Sequence, residues 1–366
     1  MSRIAIIPGD GIGLEVTREA VRVLEAATSI WDLDLELVHW DLGADRFLET
    51  GVTITDEEFD RLSNDHDAIL LGALGDPRVP GNEHARDILL GCRFKLDLYV
   101  NWRPAVLMAP RFTPLKGFEN GERTIHLDIF RENTEGIYVN LGGQFKQGTP
   151  DEVAIQEDLN TWKGVERIIR AAFEFARDKG RSKVTLVDKA NAMPAAGKLW
   201  RRAFAEVGAE FAGIEQNAMY VDAMAMDLVR RPERYEVIVT GNLFGDILSD
   251  LAAELTGGLG MAPSANMNPG HHALYEPVHG SAPDIAGQGI ANPLGAIACA
   301  GLVLDQIGCS EGAKMVDDAI RASLQKEVST PDLGGVASTE EVGAWIAATL
   351  LESTHNSNSQ TDGTRG

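Results

Sequence analysis

Hydrophobic positions in the first third of the chain follow strand and helix patterns in turn. Residues 3–7 (RIAII) form the continuous apolar run of a buried strand, and Glu15 to Ala27 carries apolar residues at helical spacing. Residues 33–40 (LDLELVHW) and 67–74 (DAILLGAL) again have strand patterns. Strands that alternate with helices predict an α/β fold with a parallel, doubly wound sheet.

The middle of the chain has a different pattern. Residues 124–133 (TIHLDIFREN) predict a strand that runs into residues 135–157, which are rich in Gly, Thr and polar residues with short β-like pieces. This segment is either a hairpin arm or a long loop. A long helix is predicted from Trp162 to Asp178, stopped by Gly180.

The last part of the chain returns to strands and helices. Residues 183–189 (KVTLVDK) and 236–242 (EVIVTGN) predict two more buried strands, and three helical segments end near Leu351. The polar residues 353–366 predict a disordered tail. Without an internal repeat or a proline-rich linker, we expect two lobes that share one continuous sheet.

Bulk properties narrow the class of protein. The chain has 366 residues, enough for two lobes, with 44% hydrophobic and 24% charged residues. No apolar run reaches the roughly 18 residues of a membrane span, and the first residues enter a strand directly, which indicates no signal peptide. The three cysteines form no CxxC pair, so we expect packed thiols in a reducing, cytoplasmic protein.

The net charge of −22 disfavours nucleic acid and anionic membranes as partners. An anionic substrate would also be repelled, unless basic residues are concentrated at its site. Arg93, Arg103 and Arg131 each stand among apolar residues, and the planar guanidinium suits bidentate contact with carboxylates. Each arginine alone is more often part of a structural ion pair.

A glycine-rich turn after the first strand resembles a dinucleotide fingerprint. Gly9, Gly11 and Gly13 give GxGxG, however, where the fingerprint needs GxGxxG. Because glycines also make an ordinary tight strand-to-helix turn, the classical Rossmann interpretation is disfavoured. A cofactor could still pass near this turn.

Two aspartates form the strongest candidate for chemistry. Asp246 and Asp250 are four residues apart in a helical pattern, hence on one face, and two such carboxylates repel each other unless a cation lies between them. Oxygen ligands favour Mg²⁺ or Mn²⁺ over zinc. A solvated acidic face is the alternative, which the apolar neighbours disfavour. Lys189 and Asn191 follow a buried strand, and the lysine is a candidate for acid–base work.

The ordered motifs resemble those of the β-decarboxylating dehydrogenases, which include isopropylmalate, isocitrate, homoisocitrate and tartrate/D-malate dehydrogenases. The resemblance covers residues 3–350 and includes IPGDGIGLEV, DLYVNWRP, RENTEGIY, DKANAM, YVDAMAMDLV, VTGNLFGDILSDLA and EPVHGSAPDIAGQGIANP. It implies two lobes on a continuous mixed sheet flanked by helices, unlike a classical Rossmann fold. The cofactor lobe would be residues 1–100 plus 258–352, and residues 101–257 would bind substrate and metal, with a dimerisation arm at 138–158.

The same resemblance implies a role for each site residue. The expected enzyme is a homodimer with shared active sites, in which Lys189 and Asp222 come from the second subunit. Asp284 would accept the ribose 2′-hydroxyl and so favour NAD over NADP, and Asn292 would contact the adenine. The implied residues are Tyr138 and Lys189 for catalysis; Arg93, Arg103, Arg131, Leu89, Leu90 and Asn191 for the dicarboxylate substrate; Asp222, Asp246 and Asp250 for Mg²⁺ or Mn²⁺; and His279, Gly280, Ser281, Ala282, Asp284 and Asn292 for NAD.

The substituent at C3 of the malate distinguishes members of the family. Leu89 and Leu90 fit an alkyl group, which favours oxidative decarboxylation of 3-isopropylmalate to 2-oxo-isocaproate in leucine biosynthesis. Ala192, where a valine often lines the isopropyl pocket, departs from that pattern, and His84 and Arg86 could face an anionic substituent instead. Tartrate/D-malate, isocitrate-like and specialised biosynthetic enzymes therefore remain alternatives.

Two other classes make different demands on the sequence. A non-catalytic regulatory subunit of this family should lack some of the arginines, the lysine, the tyrosine or the aspartates, and none of these positions is missing. A hydroxyacid dehydrogenase with a classical Rossmann domain needs the full glycine fingerprint and a histidine-centred acid–base pair. The sequence supplies neither.

Overall fold

The computed structural model describes residues 1–361 and divides the chain into two compact units. The first unit comprises Met1–Leu96, Gly257–Ala265 and the chain from Pro269 onward, and the second comprises Asp97–Thr256 and Asn266–Asn268. The sequence-based division had its boundaries after residues 100 and 257. Which unit binds cofactor and which binds substrate stays a prediction.

Within residues 1–361 the chain forms twelve strands. The pattern of hydrophobic positions predicted six of them, those within residues 2–9, 35–39, 68–73, 126–132, 183–188 and 237–240. The twelve strands are β1 (Ser2–Gly9), β2 (Leu35–His39), β3 (Ala68–Ala73), β4 (Val100–Val106), β5 (His126–Glu132), β6 (Gly142–Phe145), β7 (Val153–Gln156), β8 (Lys183–Asp188), β9 (Glu215–Tyr220), β10 (Val237–Thr240), β11 (Pro263–Asn268) and β12 (His272–Pro277).

The same residues form eleven α-helices. Several short 3₁₀ turns connect them to the strands. The helices are α1 (Gly13–Trp31), α2 (Ala44–Thr50), α3 (Asp56–Asn64), α4 (Glu83–Lys95), α5 (Trp162–Asp178), α6 (Pro194–Gly208), α7 (Val221–Arg230), α8 (Asn242–Glu254), α9 (Leu294–Gln306), α10 (Ser310–Gln325) and α11 (Thr339–Thr361).

The first unit is built on parallel strands. β1 pairs with β2 on one side and with β3 on the other, and β3 pairs with β12, all in parallel register. Residues 4–7 of β1 are completely buried, as a central strand covered on both faces requires. Helix α1 packs against α9 and α11, and α9 packs against α10.

The second unit contains a mixed sheet. β4 pairs with β5 in antiparallel register, whereas β5, β10, β8 and β9 pair in parallel. Successive residues of β10 face opposite sides: Val237 and Val239 join a core with α5 and α6, and Ile238 joins a core with α7 and α8. The predicted α/β class with a mixed, helix-flanked sheet is confirmed.

Several predictions about single elements have clear outcomes. Helix α5 has the predicted bounds, and the hairpin alternative for residues 135–157 is confirmed, because β6 and β7 form an antiparallel pair. β11 contributes residues 263–265 to the first unit and 266–268 to the second. Helix α11 continues to Thr361, although a disordered tail was expected from residue 353; helix extension adds one hydrogen bond for each residue fixed. The rest of that tail, residues 362–366, lies outside the described residues.

Candidate active site

A buried arginine lies at the centre of the candidate site in the second unit. Arg131 stands near the end of β5, and its side chain is almost completely buried. Its Nε and Nη2 atoms donate to Oδ1 of Asn242, at 2.9 and 2.7 Å, and its Nη1 atom makes a short ion pair with Asp246. Asn242 in turn donates to the backbone carbonyl of Glu135 at 2.9 Å. Arg131 is therefore fixed against the first turn of α8.

A second arginine approaches the same helix from the neighbouring strand. Arg103 lies on β4, opposite Ile129 of β5. Its Nη1 atom donates to Ser249 Oγ at 2.8 Å and to Asp250 Oδ1 at 3.2 Å, and it lies 3.4 Å from Asp246 Oδ1. Two of the three arginines singled out in the sequence thus meet the same pair of carboxylates.

Tyr138 completes this cluster from the 3₁₀ turn after β5. Its hydroxyl donates to Asp246 Oδ2 at 2.9 Å, and its ring centroid lies 5.2 Å from the guanidinium carbon of Arg131. Both carboxylate oxygens of Asp246 are therefore engaged, one by arginine and one by the tyrosine. A phenol held in this way is positioned to deliver a proton to a molecule bound at the two arginines.

Asp246 and Asp250 lie one turn apart on α8, as their spacing predicted. Burial raises the pKa of Asp250, the Arg103 guanidinium acts against this, and the neighbouring Asp246 adds to it. The side chain of Asp250 is nevertheless about half exposed, at 53%. Two close carboxylates with an open side form a donor set that suits a hard divalent cation.

Lys189 and Asp222 form a separate pair in the same unit. Lys189 follows β8, Asp222 lies in the first turn of α7, and the lysine Nζ is 2.7 Å from Asp222 Oδ1. This contact holds the pKa of the Asp222 carboxyl below its ordinary value. Among residues 1–353, whose side chains the structure describes, no three His, Cys, Asp or Glu side chains of one chain group as a metal site, so Asp222 does not join Asp246 and Asp250 there.

A cavity of about 290 Å³ opens beside Lys189. Val187, Met193 and Trp200 supply apolar wall, and Asn242, which holds Arg131, also lines it. Asn191, two residues after Lys189, is exposed. The sequence analysis did not identify Asn242 as a site residue, although a polar side chain at the end of the predicted strand 236–242 gave one available signal.

The residues expected to bind NAD lie in the first unit, in the loop after β12. Ser281 is buried, Ala282 has a left-handed φ of 36°, and Gly280 and Asp284 are exposed. Burial lowers the pKa of His279, whose Nε2 atom has no hydrogen-bond partner among the described residues. This loop therefore presents an exposed carboxylate at Asp284 and carries an imidazole whose neutral form is favoured at His279.

Asn292 has structural partners of its own. Its Nδ2 atom donates to Asp332 at 2.9 Å, and its Oδ1 atom accepts the backbone N–H of Leu294 at the start of α9 at 3.0 Å. The expected contact with adenine would therefore have to share this amide or use the backbone.

Helix α4 carries the residues expected to recognise the C3 substituent. Leu89 and Leu90 are partly exposed, and Arg93 is buried with its Nη2 atom 3.4 Å from Glu276. Arg86 is exposed. The idea that His84 could face the substrate is wrong, because its side chain is completely buried and bonded to Asp10.

No helix among residues 1–361 is long and apolar enough to cross a membrane.

Comparisons with known proteins agree over nearly the whole chain. The isocitrate/isopropylmalate dehydrogenase family model matches residues 3–346. The chain is 44% identical over 352 residues to the 3-isopropylmalate dehydrogenase of Thermobifida fusca, covering 96% of this chain and 98% of that protein. It is 47% identical over 351 residues to the 3-isopropylmalate dehydrogenase of Corynebacterium urealyticum, covering 95% and 99%.

A solved structure extends this similarity to three dimensions. The chain superposes on isocitrate dehydrogenase from Methylococcus capsulatus with a TM-score of 0.86 at 36% identity, covering 96% of this chain and 100% of that one.

Proposed function

Because the chain belongs to the isocitrate/isopropylmalate dehydrogenase family, we propose that it catalyses the NAD-dependent oxidation and decarboxylation of 3-isopropylmalate in leucine biosynthesis. The observation that carries the proposal is the cluster on α8. Two buried arginines and a tyrosine converge there on a pair of carboxylates. This arrangement combines anion binding, a proton donor and oxygen ligands for a metal.

The arginines would hold the two carboxylates of the substrate. Arg103 and Arg131 now direct their guanidinium groups at Asp246 and Asp250, so an incoming dicarboxylate would replace one anionic partner by another. This exchange avoids leaving a buried guanidinium unpaired, which would be costly. Arg93, held by Glu276 in the first unit, is proposed as the third arginine of the substrate site.

Asp246 and Asp250 fit a divalent metal, Mg²⁺ or Mn²⁺. Their carboxylates lie one turn apart and Asp250 is half exposed; burial, with a smaller contribution from the Asp246 charge, raises the pKa of Asp250, which a bound cation would oppose. Asp222 of a second subunit is proposed as the third ligand. A bound divalent cation stabilises negative charge that develops on the substrate oxygens.

The residues of the chain would move the protons of the reaction. Lys189 would accept the proton of the C2 hydroxyl as C2 becomes a ketone, and a bound NAD would supply the hydride acceptor for this oxidation. The carboxylate on C3 then leaves as carbon dioxide. Tyr138 would deliver a proton to C3, and its hydroxyl is already held by Asp246 at 2.9 Å. The balanced products are NADH, carbon dioxide and 2-oxo-isocaproate.

NAD is proposed as the cofactor because of the loop after β12. Asp284 is exposed there, where a carboxylate can accept the ribose 2′-hydroxyl and repel the 2′-phosphate of NADP. The Nε2 atom of His279, which has no hydrogen-bond partner in the described part of the chain, is a buried polar group available on the same loop.

A homodimer with shared active sites is proposed from the exposed faces of two helices. On α7, Met226 is 64% exposed and lies one turn after Asp222; on α8, Ile247 is 55% exposed and lies between Asp246 and Asp250. Large apolar side chains exposed beside functional carboxylates are typical of an interface. The β6–β7 arm also exposes Phe145. Pairing these faces would bring Lys189 and Asp222 of one subunit to the Asp246 site of its partner.

The alkyl preference rests on α4. Leu89 and Leu90 are partly exposed apolar side chains, four and three residues before Arg93 on the same helix. A surface of this kind favours the isopropyl group of 3-isopropylmalate over the carboxylate-bearing substituent of isocitrate.

The test is NADH production by the purified protein with Mn²⁺, with 3-isopropylmalate, D-malate, tartrate and isocitrate offered separately. We expect kcat/KM for 3-isopropylmalate to exceed the others by about 30- to 150-fold, since burying an isopropyl group favours binding by roughly 2–3 kcal/mol. A faster reaction with another of these substrates would contradict the substrate and keep the reaction class. An absence of NADH production from all four, in a folded protein that binds NADH, would contradict the proposed function.

A further inference from the structure

The glycine-rich turn between β1 and α1 contains a buried carboxylate with three donors. Asp10 accepts the backbone N–H of Ala44 at 2.6 Å and that of Gly75 at 2.7 Å. Its Oδ2 atom also lies 2.7 Å from Nε2 of His84, at the start of α4. Asp10 therefore connects the turn to the start of α2, to the segment after β3 and to α4.

The side chain of His84 is completely buried, and its hydrogen bond is to Asp10. Its ring stacks on Phe47 of α2 at a centroid distance of 6.1 Å, and its Nε2 atom is the donor to Asp10. Because α4 is a continuous helix from Glu83 to Lys95, fixing its first turn also fixes the direction of Leu89 and Leu90.

The other end of the turn holds the loop after β12. The carboxylate of Glu15 accepts the backbone N–H groups of Gly287, in a short contact, and of Gly289, at 3.1 Å. The N–H of Ile12 donates to the carbonyl of Ser281 at 2.8 Å. Gly11 lies so close to this loop that a Cβ atom would stand 2.1 Å from the Ser281 oxygen.

Most backbone N–H groups of the turn are already hydrogen-bonded within the protein and are not available to bind phosphate. The N–H of Asp10 donates to Ala73, that of Ile12 to Ser281 and that of Gly13 to Asp10, at 2.7, 2.8 and 2.9 Å. A dinucleotide fingerprint instead directs its backbone N–H groups at the pyrophosphate. These glycines permit close packing within the protein.

We propose that residues 9–15 form a positioning element with two separate ends. Through Asp10 and His84 one end fixes the substrate-recognition helix α4, and through Ile12 and Glu15 the other end fixes the cofactor loop 279–289. His84 and Glu15 are thus positioning residues that contact neither substrate nor cofactor. The inference rests on the proposed function for the roles of α4 and the loop.

The first arm of the test replaces His84. H84L removes the donor to Asp10, and we expect KM for the malate substrate to rise about tenfold, with kcat and the NADH dissociation constant within about twofold of wild type. H84Q, whose amide can donate to Asp10, should recover most of the loss. H272L is the matched control: His272 is also buried in the first unit with one Nε2 hydrogen bond, to the carbonyl of Leu62. It should lower the Tm without changing KM.

The second experiment replaces Glu15 and measures NADH binding, which needs no catalytic turnover. In a fluorescence titration with NADH, E15A should raise the dissociation constant about tenfold, and E15Q, which keeps one acceptor oxygen, should raise it less. KM for the malate substrate at saturating NAD should stay within about twofold of wild type in both variants.

The inference is tested by comparing KM and the NADH dissociation constant between the His84 and Glu15 variants. A rise in the NADH dissociation constant with both H84L and E15A would assign the turn to cofactor binding and overturn the division. An H84L enzyme with unchanged KM, or an H272L enzyme with the same rise in KM, would reduce His84 to general stability. The kinetic measurements use whichever malate substrate the wild-type enzyme turns over, so an error in the proposed substrate shows in the wild-type enzyme alone. The NADH titration needs no turnover and tests the role of Glu15 independently of the substrate.

Discussion

Asp246 is the residue on which the proposed chemistry converges. One of its carboxylate oxygens faces Arg131 and Arg103, and the other accepts the hydroxyl of Tyr138. A substrate that takes over the arginines would release carboxylate oxygens for a metal. Substrate binding and metal binding would then support each other, because each removes a competitor of the other.

Glu132 is a buried carboxyl that the proposed reaction does not use. It follows Arg131 at the end of β5 and accepts hydrogen bonds from Thr134 and from the backbone N–H of Glu135. Burial raises its pKa to about 7 in spite of these donors. The folded state therefore binds a proton there that the unfolded chain, with a carboxyl pKa of about 4.5, has released.

This difference predicts a pH-dependent effect of E132Q. The contribution of the raised pKa is fully present below pH 4.5 and is lost as pH rises to about 7, so wild type should lose about 3 kcal/mol of unfolding free energy relative to E132Q over that range. The hydrogen bonds lost in E132Q shift the whole curve and leave the slope unchanged. Urea unfolding of both proteins from pH 5 to pH 8 measures it. Parallel curves would contradict the raised pKa.

The cysteines give a second prediction for single residues. Cys92 and Cys299 are completely buried, and burial raises the pKa of each thiol to about 12, whereas Cys309 is partly exposed. Because the thiolate is the reactive form, Cys92 and Cys299 should resist thiol reagents in the native protein at pH 8. Titration with a chromogenic disulfide should count one thiol in the native enzyme and three in urea. Two or three fast native thiols would contradict the packing.

Helix α8 shows how one element places the site. Its start at Asn242 directly follows β10, and Gly245 lies against Arg131, where a Cβ atom would stand 2.6 Å from both Cβ and Cγ of the arginine. These atoms are close to the backbone of β5 and cannot swing aside as the end of a side chain would. The missing side chain at Gly245 therefore allows Arg131 to lie along α8.

G245A should displace Arg131 and harm the site. We expect a cost of about 1–3 kcal/mol in unfolding free energy and a rise in KM of at least about tenfold, since overpacking shifts the guanidinium from Asn242 and Asp246. The matched control is G301A in α9, where a Cβ atom would meet Val316 at an ordinary 3.4 Å. That change should stabilise the protein by up to about 1 kcal/mol and leave KM unchanged. Equal kinetics of the two variants would contradict this account.

Local patterns in the sequence predicted elements better than contacts between them. Helix α5 was predicted with its exact bounds because its apolar spacing is regular and Gly180 follows its end. Strand β11 was missed, since Pro263–Asn268 is largely polar and has no strand pattern. The residues of the β6–β7 hairpin are all exposed, so burial leaves no mark on their sequence and the loop alternative stayed open.

In the candidate site, too, the sequence predicted local spacing better than contacts between distant residues. The four-residue spacing of Asp246 and Asp250 is visible in the sequence, because one helix sets it. The bond from Arg131 to Asn242 joins residues 111 positions apart, and the bond from His84 to Asp10 joins residues 74 apart. No periodicity in the local sequence marks such pairs, and for this reason the sequence left open that His84 faces the substrate, although its side chain is buried in the interior.

At the scale of the whole molecule, the chain has a negative net charge, yet its candidate site contains buried basic side chains. The chain carries 55 acidic and 33 basic residues, and two of those arginines are buried in the candidate site within contact of carboxylates. A dicarboxylate repelled by a net charge of −22 at long range would thus meet concentrated guanidinium groups at short range. The screening of long-range repulsion by salt implies that moderate ionic strength should not slow substrate capture.

If active sites are shared between subunits, two inactive variants should be able to complement each other. One chain holds Lys189 and Asp222 as one pair and Asp246 with Arg131 as another, and no described group of three acidic side chains completes a metal site. If a site takes its lysine from one subunit and Asp246 from its partner, K189A and D246N homodimers each lack one half of every site. Both should be nearly inactive.

Mixing the two variants under conditions that exchange subunits should restore activity. A mixed dimer has one site with both substitutions and one site with neither, and random exchange at equal concentrations makes about half of the dimers mixed, so activity should approach about a quarter of wild type. D246N mixed with D250N is the matched control: both residues lie on α8 of one subunit, so every site in that mixture stays defective. Recovery with K189A and D246N alone supports shared sites. A mixture that exchanges subunits and stays inactive would place Lys189 and Asp246 of one chain in the same site.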